Sequence, residues 1–174
     1  MNTAPCPVVA VVGKSNSGKT TLIVKLVQEL TQRGHRVGTV KHAHRGFDMD
    51  RPGKDSYRHQ EAGSSRTIVI SPERIAEIRR TEYELPLDEI LQEFVSEDIV
   101  LVEGFKTSGL QKIEVCGPGQ EPLFARMAMN EVMAIASDED STFGSIPQFH
   151  RDDYEGLATF LEDRVMAVRA GMPG

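Results

Sequence analysis

The eight residues Gly13-Lys14-Ser15-Asn16-Ser17-Gly18-Lys19-Thr20 satisfy G-x-x-x-x-G-K-[ST], and what flanks them narrows the fold. Before them stands Val8-Val9-Ala10-Val11-Val12, a β-branched apolar run too short for a helix, which reads as a buried parallel strand. After them, from Lys19 to about Arg33, Leu22, Leu26 and Leu30 recur at helical spacing beside Ile23 and Val27, and Gly34 ends the pattern. Strand, glycine-rich turn and amphipathic helix in this order give a phosphate-binding loop. Main-chain N–H groups from Ser15 to Thr20 turn inward around a β-phosphate, and the helix dipole points its positive end at the anion. Lys19 is expected to bridge the β- and γ-phosphates, and the Thr20 hydroxyl to ligate Mg²⁺. Lys14 either reaches a neighbouring subunit's nucleotide or is a solvated side chain.

The rest of the chain reads as strands alternating with helices. Arg36 to Lys41 is a second strand. His42 to Lys54, with Gly46, Pro52 and Gly53, is a long loop, followed by a short helix over Asp55–Ala62 and a strand over Thr67–Ile70. Glu73–Arg79 and Leu87–Val95 are read as helices, and Ile99–Val102 as a buried strand ending in Glu103-Gly104. Lys112–Val115 and Val132–Ala136 are further strands, and Tyr154 to Val168 is the last helix. The expected fold is α/β, a P-loop NTPase (Rossmann-like, three layers) with a mostly parallel sheet, in one domain over 1–174. The segment Thr107 to Met129 is a candidate dimerisation hairpin.

With 174 residues the chain is long enough for a core without metal or disulfide help. Its charge of −6 argues against non-specific binding to nucleic acid or anionic membrane. No segment approaches the roughly 18 apolar residues of a membrane span. Met1 to Pro7 lacks the regions of a secretory signal, and Cys6 and Cys116 have no metal-ligand spacing. The expected compartment is the cytoplasm.

A magnesium ion needs acidic or water-mediated contacts beyond the threonine. Glu103, at the end of an apolar strand, belongs at the same carboxyl edge of a parallel sheet as the loop, and Gly104 would let an N–H approach the γ-phosphate. Asp98, at the start of that strand, points to the opposite edge and is structural. Asp48 and Asp50 form a second acidic group, where one either completes the Mg²⁺ shell or positions the attacking water, or both are solvated. His42 and His44 are polar loop residues or anion contacts, with a shared transition metal as the alternative. No N-K-x-D guanine reader occurs. Asp138, after Val132–Ala136, stands where it could accept from a guanine edge or be a surface acid.

Taken together, several motifs resemble the MobB family, the molybdopterin-guanine dinucleotide biosynthesis adaptors. They are Gly13 to Leu22, Lys41-His42, the run from Phe47 to Tyr57, Ala62-Gly63, Val102-Glu103-Gly104-Phe105-Lys106 and Ala136-Ser137-Asp138. The resemblance spans positions 9 to about 160. It implies a GTP-binding adaptor with weak intrinsic hydrolysis and Mg²⁺, working as a homodimer beside the molybdopterin guanylyltransferase and the molybdopterin-inserting machinery. Carried over by position, Ser15, Asn16, Ser17, Gly18, Lys19, Thr20 and Thr21 hold phosphates, Thr20 and Glu103 serve the metal, and Asp50 belongs to a switch loop. Lys41, Arg45, Arg51, Lys54 and Lys106 offer charge to the phosphate of a molybdopterin ligand. A small-molecule kinase or ligase, or a nickel-delivery GTPase, would use the same loop. The missing Cys/His cluster counts against the latter.

Overall fold

The computed structural model describes residues 4–43, 46–123, 131–139 and 144–167. In chain order the elements are β1 (Val8–Val12), α1 (Lys19–Gln32), β2 (Val37–Lys41), α2 (Asp55–Glu61), β3 (Arg66–Ile70) and β4 (Ile75–Arg79). They continue with α3 (Leu87–Leu91), β5 (Ile99–Glu103), β6 (Gln111–Cys116), β7 (Val132–Ser137), β8 (Gln148–Phe149) and α4 (Tyr154–Leu161), with a π-helical turn at Glu162–Met166. They form two compact units, one of Met1–His42 with Asp88–Gly174 and the other of Ala43–Leu87.

The first unit is built on a six-stranded sheet in the order β2-β5-β1-β6-β7-β8, with every neighbouring pair parallel. Parallel strands buried on both faces need continuous apolar sequence. All five residues of β1 and the first four of β5 are buried accordingly. One face packs Val9, Val11, Leu101 and Ile113 against Leu22, Leu26 and Leu30 of α1 and Leu157 and Leu161 of α4. The fold is that of a P-loop NTPase. β5 lies between β1 and β2, so the first helical crossover spans a strand that arrives much later in the chain.

Local chemistry sets the helix ends. At the close of α1, Gly34 takes the left-handed conformation (φ 95°) and donates to the Thr31 carbonyl, while His35 donates to that of Leu30. This double closure satisfies carbonyls the helix leaves open. At the start of α4, Asp153 Oδ1 accepts from the Gly156 N–H at 2.9 Å, as an N-cap aspartate should. Arg33 then ties the two helices together through Glu29, Thr159 and Glu162.

Two expectations need correction. Glu73–Arg79, read as a helix, contains strand β4, antiparallel to β3 in a two-stranded sheet of the second unit. Ile75 and Ile78 are spaced as on a helix among good helix formers, but Ser71 closes a tight turn on Arg74 with a main-chain bond of 2.8 Å, and cross-strand pairing overrides propensity. The helix expected over Leu87–Val95 stops at Leu91; the next residues take tighter i→i+3 bonds, and Phe94 packs over the Gly38 backbone. Within Thr107–Met129, β6 is an interior strand flanked by β1 and β7 in parallel. Residues 124–130 of that segment lie outside the described residues, as do His44, Arg45 and Val168. No helix among the described residues is long and apolar enough to cross a membrane.

Candidate functional site

The chain leaves β1 through a turn that only glycine can make at its first position. A Cβ on Gly13 (φ 154°) would lie 2.4 Å from the Val115 carbonyl oxygen and 2.6 Å from Ser17 Oγ. Asn16 (φ 59°) and Gly18 (φ 101°) then take left-handed conformations that swing the backbone round into α1. The first turn of α1 has no side-chain cap and no acidic residue. Its N–H groups lack intrahelical acceptors, and nothing anionic in that turn repels a ligand. Ser17 is fully buried, and among the described residues its Oγ has no hydrogen-bond partner. The loop surrounds a cavity of about 400 Å³ lined by Ser15, Asn16, Gly18, Lys19, Thr20, Thr21 and Glu103.

Lys19 folds back over this loop, its Nζ donating to the Lys14 carbonyl at 2.6 Å. Burial pushes its ammonium below the usual lysine range; Glu103 opposes that, while Lys106 and Lys41 add to it. Lys14 contributes its carbonyl here. A bound polyphosphate would add negative charge beside the Lys19 ammonium and oppose the effect of its burial.

Sheet register delivers the acidic partner. β5 pairs with β1 so that Glu103 lies opposite Val11, two residues before the loop, and with β2 so that it lies opposite Lys41. Thr20 Oγ1 donates to the Glu103 carboxylate, 3.0 Å from Oε1 and 2.9 Å from Oε2. A hydroxyl and a carboxylate converging at the mouth of a phosphate-sized cavity are hard oxygen donors of the kind Mg²⁺ takes, with phosphate oxygens and water completing the shell. The residues present therefore fit the metal. Asp98 sits at the opposite edge, where its Oδ2 accepts from the Arg36 N–H at 2.7 Å.

Gly104 follows Glu103 at the end of β5 with a left-handed φ of 103°. Its own N–H donates to the Val11 carbonyl at 3.1 Å, which extends the sheet pairing by one residue. Beyond it, Phe105 takes a left-handed φ of 51° and stacks on His42, with ring centroids 4.5 Å apart and planes 18° from parallel. A left-handed aromatic residue is unusual and marks a tight turn just after β5.

Asp138, past the end of β7, is held by Arg151, whose Nε lies 2.7 Å from Oδ2 and whose Nη2 also donates there. His150 Nε2 stands 3.4 Å from Oδ1. The Arg151 guanidinium keeps this carboxyl below the usual carboxylate range. Arg151 also donates from Nη1 to the Ser17 carbonyl at 3.2 Å, which joins Asp138 to the phosphate loop. Sequence reasoning missed Arg151, because it sits in an irregular segment with no motif or periodicity. It likewise missed Gln120, whose Nε2 donates to the Ser15 carbonyl at 3.3 Å.

The other acidic pair belongs to the second unit. There Asp50 accepts from the Arg51 N–H at 2.8 Å and from Gln60 Nε2 at 3.2 Å. Asp48 lies in the same exposed loop, between Phe47 and Met49. Among the described residues no group of three or more His, Cys, Asp and Glu side chains could hold a metal ion. Cys6 and Cys116 are both buried and form no disulfide among the described residues, and burial, helped by Glu114, pushes Cys116 up to about 12.

Residues 8–138 match the family model for MobB, molybdopterin guanine dinucleotide synthesis protein B. The chain belongs to the MobB family. Among its relatives, the molybdopterin-guanine dinucleotide biosynthesis adapter protein of Escherichia coli K12 is 39% identical over 163 residues, 89% of this chain and 91% of that protein. The protein of the same description from Haemophilus influenzae is 45% identical over 109 residues, 62% of this chain and 61% of its own. Among solved structures, that of Bacillus subtilis MobB superposes with a TM-score of 0.73 at 27% identity, covering 91% of this chain and 98% of the other. A crystal structure of molybdopterin-guanine biosynthesis protein B gives 0.71 at 31% identity, covering 90% and 97%. The MobB match takes in the loop, Glu103 and Asp138 together, and it ends at Asp138.

Proposed function

We propose that this MobB-family chain is a GTP-binding adaptor with slow GTP hydrolysis in molybdopterin guanine dinucleotide biosynthesis. The observation that carries the reading is the Thr20–Glu103 contact at the mouth of the Gly13–Thr20 cradle, which pairs a metal-binding hydroxyl with a carboxylate delivered by another strand. Lys19 and the amides from Ser15 to Thr21 hold the polyphosphate, and Thr20 and Glu103 face its Mg²⁺. When bound, that ion neutralises charge between the β- and γ-phosphates. Slow turnover is supported by Arg151: its guanidinium is taken up by Asp138 and the Ser17 carbonyl rather than held ready for a transition state. The preference for guanine is assigned to Asp138, and the role of Asp50 in a switch loop rests on the family resemblance.

The pathway follows the names of the relatives, and a partnership with the molybdopterin guanylyltransferase and inserting machinery rests on the family resemblance. A homodimer is part of the same reading. The second unit supports it: Ile68, Ile70 and Ile75 stay exposed on a two-stranded ribbon, a form with little stability by itself. Calorimetric titration of GTP against ATP with Mg²⁺, with and without the guanylyltransferase, tests the proposal. Mg²⁺-dependent GTP binding that exceeds ATP binding, with turnover staying slow, is expected. Equal binding of both, or rapid phosphate release once a small acceptor is added, would overturn it in favour of a kinase.

A further inference from the structure

Lys41 ends the edge strand β2, and register sets it opposite Glu103. Its ammonium lies 3.2 Å from Glu103 Oε1 and 3.3 Å from Oε2. It also lies 3.5 Å from Thr20 Oγ1. Thr20 in turn donates to the same carboxylate, so the three groups form a closed ring. An ammonium has three donors, and here they face the same three oxygens that a divalent cation would use. An ordinary surface ion pair meets one carboxylate and lets the rest of the side chain wander. This contact instead covers both parts of the metal site.

We propose that Lys41 is a stand-in for the metal: in the nucleotide-free chain its ammonium occupies the position between Thr20 and Glu103 and keeps the divalent cation out until a polyphosphate arrives. The inference rests on the reading of this site as a magnesium–nucleotide site. Its physical basis is charge. A divalent ion entering beside Glu103 would meet the Lys41 ammonium at contact distance, with Lys19, which also interacts with Glu103, adding to the repulsion. A single carboxylate does not offset that. A triphosphate does, since it brings several negative charges of its own and gives the displaced ammonium a new partner. Lys41 can leave readily, because its side chain is 61% exposed and not packed in place. Metal and nucleotide are thereby bound together, and free Mg²⁺ does not fill the site alone.

The test is a Mn²⁺ titration followed by electron paramagnetic resonance, on the full chain without nucleotide. Wild type, Lys41→Met, Lys41→Arg, Glu103→Gln and the Lys41→Met/Glu103→Gln double variant are compared, with Lys41→Gln replacing the methionine variant if that one does not fold. Removing the ammonium is expected to tighten Mn²⁺ binding on the order of tenfold. Lys41→Arg should bind as weakly as wild type, and the double variant should lose the gain. With a non-hydrolysable GTP analogue bound, wild type and Lys41→Met should converge. Equal Mn²⁺ affinity of wild type and Lys41→Met without nucleotide would overturn the proposal, as would a gain that survives in the double variant. The underlying reading fails separately, by absence of GTP-analogue binding in wild type.

Discussion

Thr20 and Glu103 stand 83 positions apart, yet the threonine hydroxyl lies within 3.0 Å of both carboxylate oxygens. Neither residue could be placed there by its own segment. The P-loop turns Thr20 outward at the first turn of α1, and pairing of β5 with β1 brings Glu103 level with Val11. If this contact marks the metal, Glu103→Ala should weaken Mg²⁺-dependent nucleotide binding by about tenfold or more and metal-free binding much less. Fluorescent-nucleotide titration with Mg²⁺ and with chelator checks this. An equal loss under both conditions would make Glu103 a structural residue.

Lys19→Ala should abolish triphosphate binding at micromolar nucleotide, because its ammonium is folded over the cradle from within it. Asp98→Ala, at the opposite edge of the sheet, should leave binding nearly intact. The same titration decides both, and equal losses would contradict the edge assignment.

Gly13→Ala should damage loop and fold together. The added methyl would sit 2.4 Å from the Val115 carbonyl oxygen, which is backbone and cannot rotate away. A loss of about 1–3 kcal/mol in denaturant unfolding is expected, with nucleotide affinity falling as well. An unchanged midpoint would mean that β6 is free to shift.

Glu162 gives a pH prediction away from the site. Its carboxylate accepts from His35 Nε2 and from Arg33 Nη1, each at 2.7 Å. The His35 bond lowers its carboxyl below the usual range; burial opposes this, and the Arg33 bond and the charges of both partners restore the downward direction. A depressed carboxylate contributes stability that is complete above its unfolded pKa, about 4.3, and is lost as pH falls through the lower folded value. Glu162→Gln should therefore lower Tm near neutral pH, by an amount corresponding to about 1 kcal/mol or less, and the gap to wild type should close below about pH 4. Thermal unfolding by circular dichroism across that range measures it. A gap that widens on acidification would contradict the assignment.

Much of the site was legible because its determinants are local. The P-loop is a contiguous motif between a β-branched run and an amphipathic helix, and Glu103 is announced by the apolar strand it closes. β4 was not legible: Ile75 and Ile78 carry a helical spacing, and only the partner strand decides otherwise. Arg151 was hidden for a similar reason. Its contacts, Ser17 and Asp138, lie 134 and 13 positions away and leave no periodic trace. The hydrogen bond of the Gly104 amide also required the neighbouring strand, since its acceptor is the carbonyl of Val11.

A crystal of the chain grown or soaked with a non-hydrolysable GTP analogue and Mg²⁺ tests the central claim most directly. The account predicts the polyphosphate inside the Ser15–Thr21 loop, Lys19 swung from the Lys14 carbonyl onto phosphate, and the ion facing Thr20 and Glu103. Analogue bound elsewhere with that loop empty would contradict it.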